Sequence, residues 1–293
     1  MGKECVLGVE QLQMRYGTRD VLHEVTFHVD RGEVLALLGP NGAGKTTTIE
    51  ILEGFRLRSG GRAEVLGVDP AYGDERWRAR IGVVLQSWRD HGKWRVRELL
   101  AHLGSYYRAY STAEVQRPWD ADELIEAVGL TAQADQKIKV LSGGQRRRLD
   151  VAIGIVGRPE VLFLDEPTTG FDPAARHEFH ELVRRLAREH GTSVLLTTHD
   201  LNEADRLAER IVILAGGRII ADGTADQLAR RIAGQDEVRW SCDGQAFAKS
   251  MTDSTAFVRG LFGQYGEAIR DLEVRRASLE NTYLSLVHES EAR

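Results

Sequence analysis

An α/β fold built on a mostly parallel sheet is what this sequence predicts, from three observations. Short apolar runs at residues 81–85, 161–164, 193–197 and 210–214 have the length and β-branched content of buried strands. A long helical pattern over 173–189 separates two of them. A further apolar run, Val34–Leu38, feeds directly into a glycine-rich loop and a helical stretch over Lys45–Leu52. Strands alternating with helices imply a parallel sheet covered on both faces.

The remaining elements follow in chain order. Residues 6–13 and 25–29 alternate in part between apolar and polar, and Asp30, Arg31 and Gly32 make a turn after them, so both stretches read as strands. From 87 to about 130 the pattern becomes helical, clearest over 96–110 and 121–128, and the span of about 87–150 reads as an inserted helical subdomain. After Gly223 come a polar helix, Ala225–Ala233, and a looser stretch of Asp, Gly, Ser and Thr over 234–254. That change marks a first domain over 1–225 and a C-terminal accessory region over 226–293. The accessory region offers a strand at 238–241 and helices at 257–265 and 278–288. There is no internal repeat and no low-complexity tract.

With 42% hydrophobic and 28% charged residues, the 293-residue chain has the composition of a soluble globular protein. Its formal charge of −5 argues against a nucleic-acid partner, which would need clustered positive charge. Two cysteines, Cys5 and Cys242, build no disulfide framework and suit a reducing compartment. The first ten residues lack the apolar core of a secretory signal, and Val6 stands where a myristoylation motif wants Ser or Thr. Apolar stretches fall far short of the roughly 20 residues that cross a membrane.

Chemistry concentrates in two places. Gly39, Pro40, Asn41, Gly42, Ala43, Gly44, Lys45 and Thr46 match the phosphate-binding loop, in which glycines let backbone N–H groups face phosphate oxygens unobstructed. Lys45 would bond the β- and γ-phosphates of ATP, and the Thr46 hydroxyl would ligate Mg²⁺. The strand at 161–164 delivers Asp165 and Glu166 to its C-terminal end, where open α/β sheets bind their ligands. Asp165 would hold Mg²⁺ through water, and Glu166 would orient and polarise the attacking water.

Between these two lies the run Leu141, Ser142, Gly143, Gly144, Gln145. In that order of parts, residues 5–225 resemble the nucleotide-binding subunit of ABC (ATP-binding cassette) transporters. The resemblance implies a RecA-like P-loop NTPase core, an antiparallel β-subdomain, the inserted helical subdomain and a small C-terminal α+β appendix. It assigns Tyr16 to stacking on adenine, and Thr47 to the nucleotide beside Thr46. Gln86 is assigned to Mg²⁺ and the attacking water, and His199 to the γ-phosphate. Ser142, Gly143, Gly144 and Gln145 would face the γ-phosphate of ATP held by a second subunit, with Gly170, Phe171 and Asp172 as the loop that crosses between the two. Arg146, Arg147 and Arg148, next in the chain, read as a solvated helix face.

The resemblance further implies a dimer of cassettes, as copies or as relatives, closed by ATP and opened by hydrolysis. Separate transmembrane permease subunits would hold the protein at the cytoplasmic face of the membrane. Tyr72, Trp77, Trp88, Trp94, Tyr106, Tyr107, Tyr110 and Trp119 crowd the region where such a partner docks, and the expected groove runs from Trp88 through Trp94 to the helix starting at Val96. The stretch 272–283 resembles the tails of cassettes serving drug and antibiotic exporters with type-2 permeases. Export of a drug, antibiotic, lipid or other hydrophobic compound is therefore the favoured direction, with an importer ATPase or a non-transport ABC ATPase as the alternatives.

Overall fold

A computed structural model of the chain describes residues 4–84, 91–233, 236–242, 245–251 and 253–275. It divides into two compact units, Met1–Ile219 and Ile220–Arg293, described separately below.

The first unit opens with β1 (Cys5–Tyr16) and β2 (Arg19–Asp30), followed by the core strand β3 (Val34–Leu38) and helix α1 (Lys45–Leu52). Next come β4 (Gly60–Val65), α2 (Glu75–Arg78) and β5 (Ile81–Val84), then the helices α3 (Val96–Ser105), α4 (Ala121–Ala127) and α5 (Gly143–Ile155). The chain returns to the core with β6 (Val161–Asp165), α6 (Pro173–His190), β7 (Ser193–Thr198), α7 (Leu201–Leu207), β8 (Arg210–Ala215) and β9 (Arg218–Gly223). The boundary between the units falls inside β9.

The central sheet has the order β5-β6-β7-β3-β8-β9, and β5/β6, β6/β7, β7/β3 and β3/β8 pair in parallel. Every residue of β3 and β7 is buried, which is why these strands read as continuous apolar runs and not as alternations. Gly216 and Gly217, both at positive φ, form the two-residue turn from β8 to β9.

A second sheet, β2-β1-β4, is antiparallel. Its alternating side chains Leu7, Val9, Val25, Phe27 and Val29 join Leu35, Leu37 and Phe163 of the central sheet in one apolar cluster. Strand β4, with the sequence GGRAEV, has no strand signature of its own. It forms because β1 offers it an edge, and Gly61 is required there: at φ +76, a Cβ would sit 2.1 Å from the Gln11 carbonyl oxygen.

The helical subdomain packs α3 against α4 and α5, and α5 against β5. The last contact is close, since a Cβ on Gly82 would lie 2.3 Å from the carbonyl oxygen of Gly154. The helix expected over 96–110 ends at Ser105, whose hydroxyl bonds back to the His102 carbonyl at 2.6 Å, and the chain resumes as a short 3₁₀ turn at Arg108–Tyr110. Gln86 and Trp88 lie outside the described residues.

The second unit holds α8 (Ala225–Ala233), the strands β10 (Asp236–Cys242) and β11 (Gln245–Met251), helix α9 (Ser254–Tyr265) and β12 (Ile269–Arg275). The three strands form an antiparallel sheet, β11-β10-β12, around Val238, Leu261 and Ile269. Trp240 stacks on Phe247 across the β10/β11 pair at 5.4 Å. Strand β12 is invisible as an alternation because Asp271, at φ +51, interrupts it where its register against β10 shifts. The helix expected at 278–288, and the tail stretch beyond Arg275, lie outside the described residues. Among the described residues no helix is long and apolar enough to cross a membrane.

One buried carboxyl bears on stability. Glu53 closes the C-terminus of α1 and is 6% exposed. Burial, and then the negative charges of Asp165 and Glu50, push it up to about 8 from an ordinary value of 4.5. The folded chain therefore holds this proton more tightly than the unfolded one. The resulting stabilisation is complete below the ordinary value and is lost as pH rises through about 8. Glu53→Gln should accordingly raise the Tm, and by more at about pH 9 than at about pH 5. Equal shifts at the two pH values in a thermal melt would show that Glu53 is not the titrating group.

Candidate functional site

The site grows from the ends of three adjacent strands, β6, β7 and β3, with β7 in the middle. Past Leu38 the chain enters the glycine loop, anchored where the Gly39 N–H donates to the Thr198 carbonyl at 3.2 Å. Two glycines make the loop possible. A Cβ at Gly39 would meet the Leu214 carbonyl oxygen at 2.2 Å, and Gly44, at φ +105, would push one into Leu22 at 2.5 Å. Gly44 is also the N-cap of α1, so no side chain caps that helix and its first N–H groups face outward for an anion.

Lys45 folds back over this loop. It is 5% exposed, and its Nζ donates to the carbonyls of Gly39 at 2.8 Å and Pro40 at 3.1 Å while lying 3.4 Å from Glu166 Oε1. The Thr46 hydroxyl donates to Asp165 Oδ2 at 3.1 Å. Asp165 Oδ1 accepts a short bond, 2.5 Å, from the Thr197 hydroxyl on β7. Glu166 follows at φ +44, in the left-handed region that costs a residue with a side chain roughly 1–2 kcal/mol. Its N–H is held there by the Thr197 carbonyl at 3.2 Å and the Thr197 hydroxyl at 3.1 Å. Glu166 Oε2 lies 3.2 Å from Nδ1 of His199, which stands half-exposed just past the end of β7. Five residues picked out in the sequence, Lys45, Thr46, Asp165, Glu166 and His199, thus form one connected cluster. Thr197 ties them together and was not anticipated; its only trace in the sequence is a polar residue closing an apolar strand.

Tyr16, at the end of β1, places its hydroxyl 3.5 Å from the Thr47 hydroxyl on the first turn of α1. The guanidinium of Arg56 lies over its ring, 5.0 Å from the centroid, and is held in turn by Glu50 at 2.7 Å. Arg56 is another site neighbour that carries no sequence signal, because it comes from the loop after α1.

Ser142 to Gln145 form a separate site. Ser142 is the N-cap of α5: its hydroxyl accepts from the Gln145 N–H at 3.3 Å, and its own N–H donates to Gln145 Oε1 at 2.9 Å. Gly143 and Gly144 make the first turn. The motif opens onto a cavity of about 860 Å³ that Glu166, Gly170 and Asp172 also line, while no residue of the phosphate loop does. Phe171 is anchored by an edge contact with Phe179 at 5.9 Å.

The expectation of a solvated face at Arg146, Arg147 and Arg148 is corrected at Arg147. Arg147 is buried, with its Nε donating to the Pro167 carbonyl at 2.9 Å. Arg148 donates to the Gly129 carbonyl at 3.0 Å and pairs with Glu178 at 2.8 Å. α5 is enclosed by the loop after β6 and by α6, so arginines that look like a charge run are used one by one. The aromatic crowd also divides. Trp77 and Trp119 are core residues, and the Trp77 indole N–H donates to the Val65 carbonyl at 2.9 Å. Tyr107 packs on Gly157, where a Cβ would lie 2.4 Å from its ring. At the surface, His91, Trp94, His102 and Tyr106 form a ladder with centroid spacings of 6.0, 4.9 and 5.4 Å.

Comparison with known proteins shows the family. Residues 22–169 match the ABC transporter family model. The Nod factor export ATP-binding protein I of Ralstonia nicotianae is 39% identical over 81% of this chain and 73% of its own length. The daunorubicin resistance ATP-binding protein DrrA3 of Streptomyces coeruleorubidus is 36% identical over 97% of this chain and 96% of its own. A solved ATP-binding subunit of an ABC transporter superposes with a TM-score of 0.69 at 27% identity, covering 96% of this chain and 99% of that one. A dimeric bacterial ABC transporter cassette shares the fold, with a TM-score of 0.64 at 24% identity over 74% of this chain and 98% of its own. This chain belongs to the ABC transporter family, as one of its ATP-binding, ATP-hydrolysing subunits.

Proposed function

We propose that the chain powers export of a drug, antibiotic, lipid or other hydrophobic compound through separate permease subunits, working as a dimer of cassettes at the cytoplasmic face of the membrane. The observation that carries the chemical part is the cluster of Lys45, Thr46, Asp165, Glu166 and His199 at one strand-end. The direction of transport is supported by the relatives, which are named for Nod factor export and daunorubicin resistance.

Glu166 is engaged on two sides, by the Lys45 ammonium at 3.4 Å and by the His199 ring at 3.2 Å. The β- and γ-phosphates of ATP compete for both, with Lys45 leaving the Gly39 and Pro40 carbonyls to bind them. Glu166 is then free to accept a proton from the attacking water. Thr46 and Asp165 offer hard oxygen donors 3.1 Å apart, a pair that suits Mg²⁺ once phosphates and water complete its shell. Bound there, Mg²⁺ would neutralise charge developing on the phosphates. The adenine ring would stack on the face of Tyr16 that Arg56 leaves open. Gln86, outside the described residues, is assigned to the same metal and water.

The Ser142 end of α5, whose cavity Glu166 also lines, would complete the ATP site of a partner cassette, identical or related. Within the surface expected for the permease, from Trp88 through Trp94 to the helix starting at Val96, the described part carries the His91–Trp94–His102–Tyr106 ladder, and Trp88 lies outside the described residues.

Glu166→Gln should keep nucleotide binding, lower turnover about 10²–10⁴-fold and accumulate the closed dimer in light scattering with ATP. Wild-type turnover would remove Glu166 from its role. Lys45→Ala should instead lose nucleotide affinity by about tenfold or more, measured by fluorescent nucleotide titration. The paired change Trp94→Ala with Tyr106→Ala should weaken co-purification with the permease while the isolated subunit still binds ATP, and undiminished co-purification would rule out the ladder as the docking surface.

A further inference from the structure

Behind the catalytic cluster, four polar side chains are buried together: Arg147, Thr168, His180 and Glu203. The Thr168 hydroxyl donates to Glu203 Oε1 at 2.7 Å. His180 Nε2 lies 3.7 Å from that same oxygen and makes no hydrogen bond of its own. Arg147 reaches the residue before Thr168, through the Pro167 carbonyl, at 2.9 Å. Each of the four comes from a different element: α5, the turn after β6, α6 and α7.

From this we infer that Glu203 and Arg147 are positioning residues that clamp the turn carrying Glu166. The inference rests on the reading of Glu166 as the residue that activates water. Glu166 sits in a strained backbone conformation directly before Pro167 and Thr168. The turn is closed on itself by the Thr169 N–H to the Glu166 carbonyl at 3.3 Å and the Phe171 N–H to the Thr168 carbonyl at 3.0 Å. It is then gripped from two sides. Arg147 belongs to the helix whose N-cap is Ser142, and Glu203 belongs to the helix whose N-cap is Asp200, the neighbour of His199. Both ends proposed to meet a γ-phosphate are therefore tied by buried hydrogen bonds to the one turn that sets the direction of Glu166. If α5 or α7 shifts, either the turn moves with it or a buried charged group loses a hydrogen bond, and the second outcome is the costly one. The Thr168–Glu203 bond thus over-determines a backbone conformation that Glu166 would not keep unaided.

The decisive comparison is Thr168→Val against Thr168→Ser in the full chain, since valine keeps the shape and deletes the hydroxyl while serine restores it. Thr168→Val should lower kcat for ATP about tenfold or more and leave KM within about twofold, and Thr168→Ser should recover most of the loss. Amide exchange over residues 167–171 should be about tenfold faster in the valine variant and unchanged in the serine one. Glu203→Ala should match Thr168→Val, and the double variant should be no worse than either alone. Wild-type kcat in Thr168→Val, a loss that serine does not recover, or unchanged exchange over 167–171 would each overturn the clamp. Turnover unaffected by Glu166→Gln would instead overturn the reading of Glu166, and the exchange comparison would then decide the clamp by itself.

Discussion

The candidate site of this protein depends on β7, and within it on Thr197. Its hydroxyl holds Asp165, the same hydroxyl and its carbonyl hold the Glu166 N–H, and the strand runs on to present His199. β7 can do this because it lies between β3 and β6 in a sheet whose neighbouring strands run in parallel, so three strand ends open at one edge with fixed spacing. The buried apolar residues of β3, β6 and β7 therefore contribute more than stability. They set, through strand register, the separation of the groups proposed to close around one triphosphate.

The residues of the candidate site bond to one another. Lys45 caps loop carbonyls and approaches Glu166, and Thr46 is tied to Asp165. Each of these contacts compensates a charged or polar group inside the fold and is one that a phosphate or a cation can take over. The second, more deeply buried network of Arg147, Thr168, His180 and Glu203 has no such substitute. Its bonds are internal to the fold, which is what suits it to hold a loop in place through a cycle of binding and release.

The two units differ in how much their sequence discloses. In the first, long buried runs such as Val34–Leu38 and the helix Lys45–Leu52 form where the pattern places them, because burial on both faces leaves no alternative for such residues. Strands β4, β11 and β12 escape notice because pairing, not composition, makes them strands: β4 is glycine-rich and polar, and β12 is broken at Asp271. The same distinction explains the arginines after the signature motif, whose charge predicts solvent while the enclosure of α5 gives Arg147 and Arg148 particular carbonyl partners.

The amino-acid sequence alone determined the family of this chain and its ATP chemistry, and it singled out charged groups that the fold brings together, because the phosphate loop, the Asp165–Glu166 pair and the Leu141–Gln145 run need particular residues at particular spacings along the chain. Tertiary structure alone decided that Thr197 joins Asp165 to Glu166, that Arg56 covers Tyr16, that Trp77 and Trp119 are core while Trp94 and Tyr106 form a surface ladder, and that Glu203 meets Thr168. Those contacts join residues from elements whose proximity is set by sheet order and helix packing, and a one-dimensional pattern carries no measure of that distance.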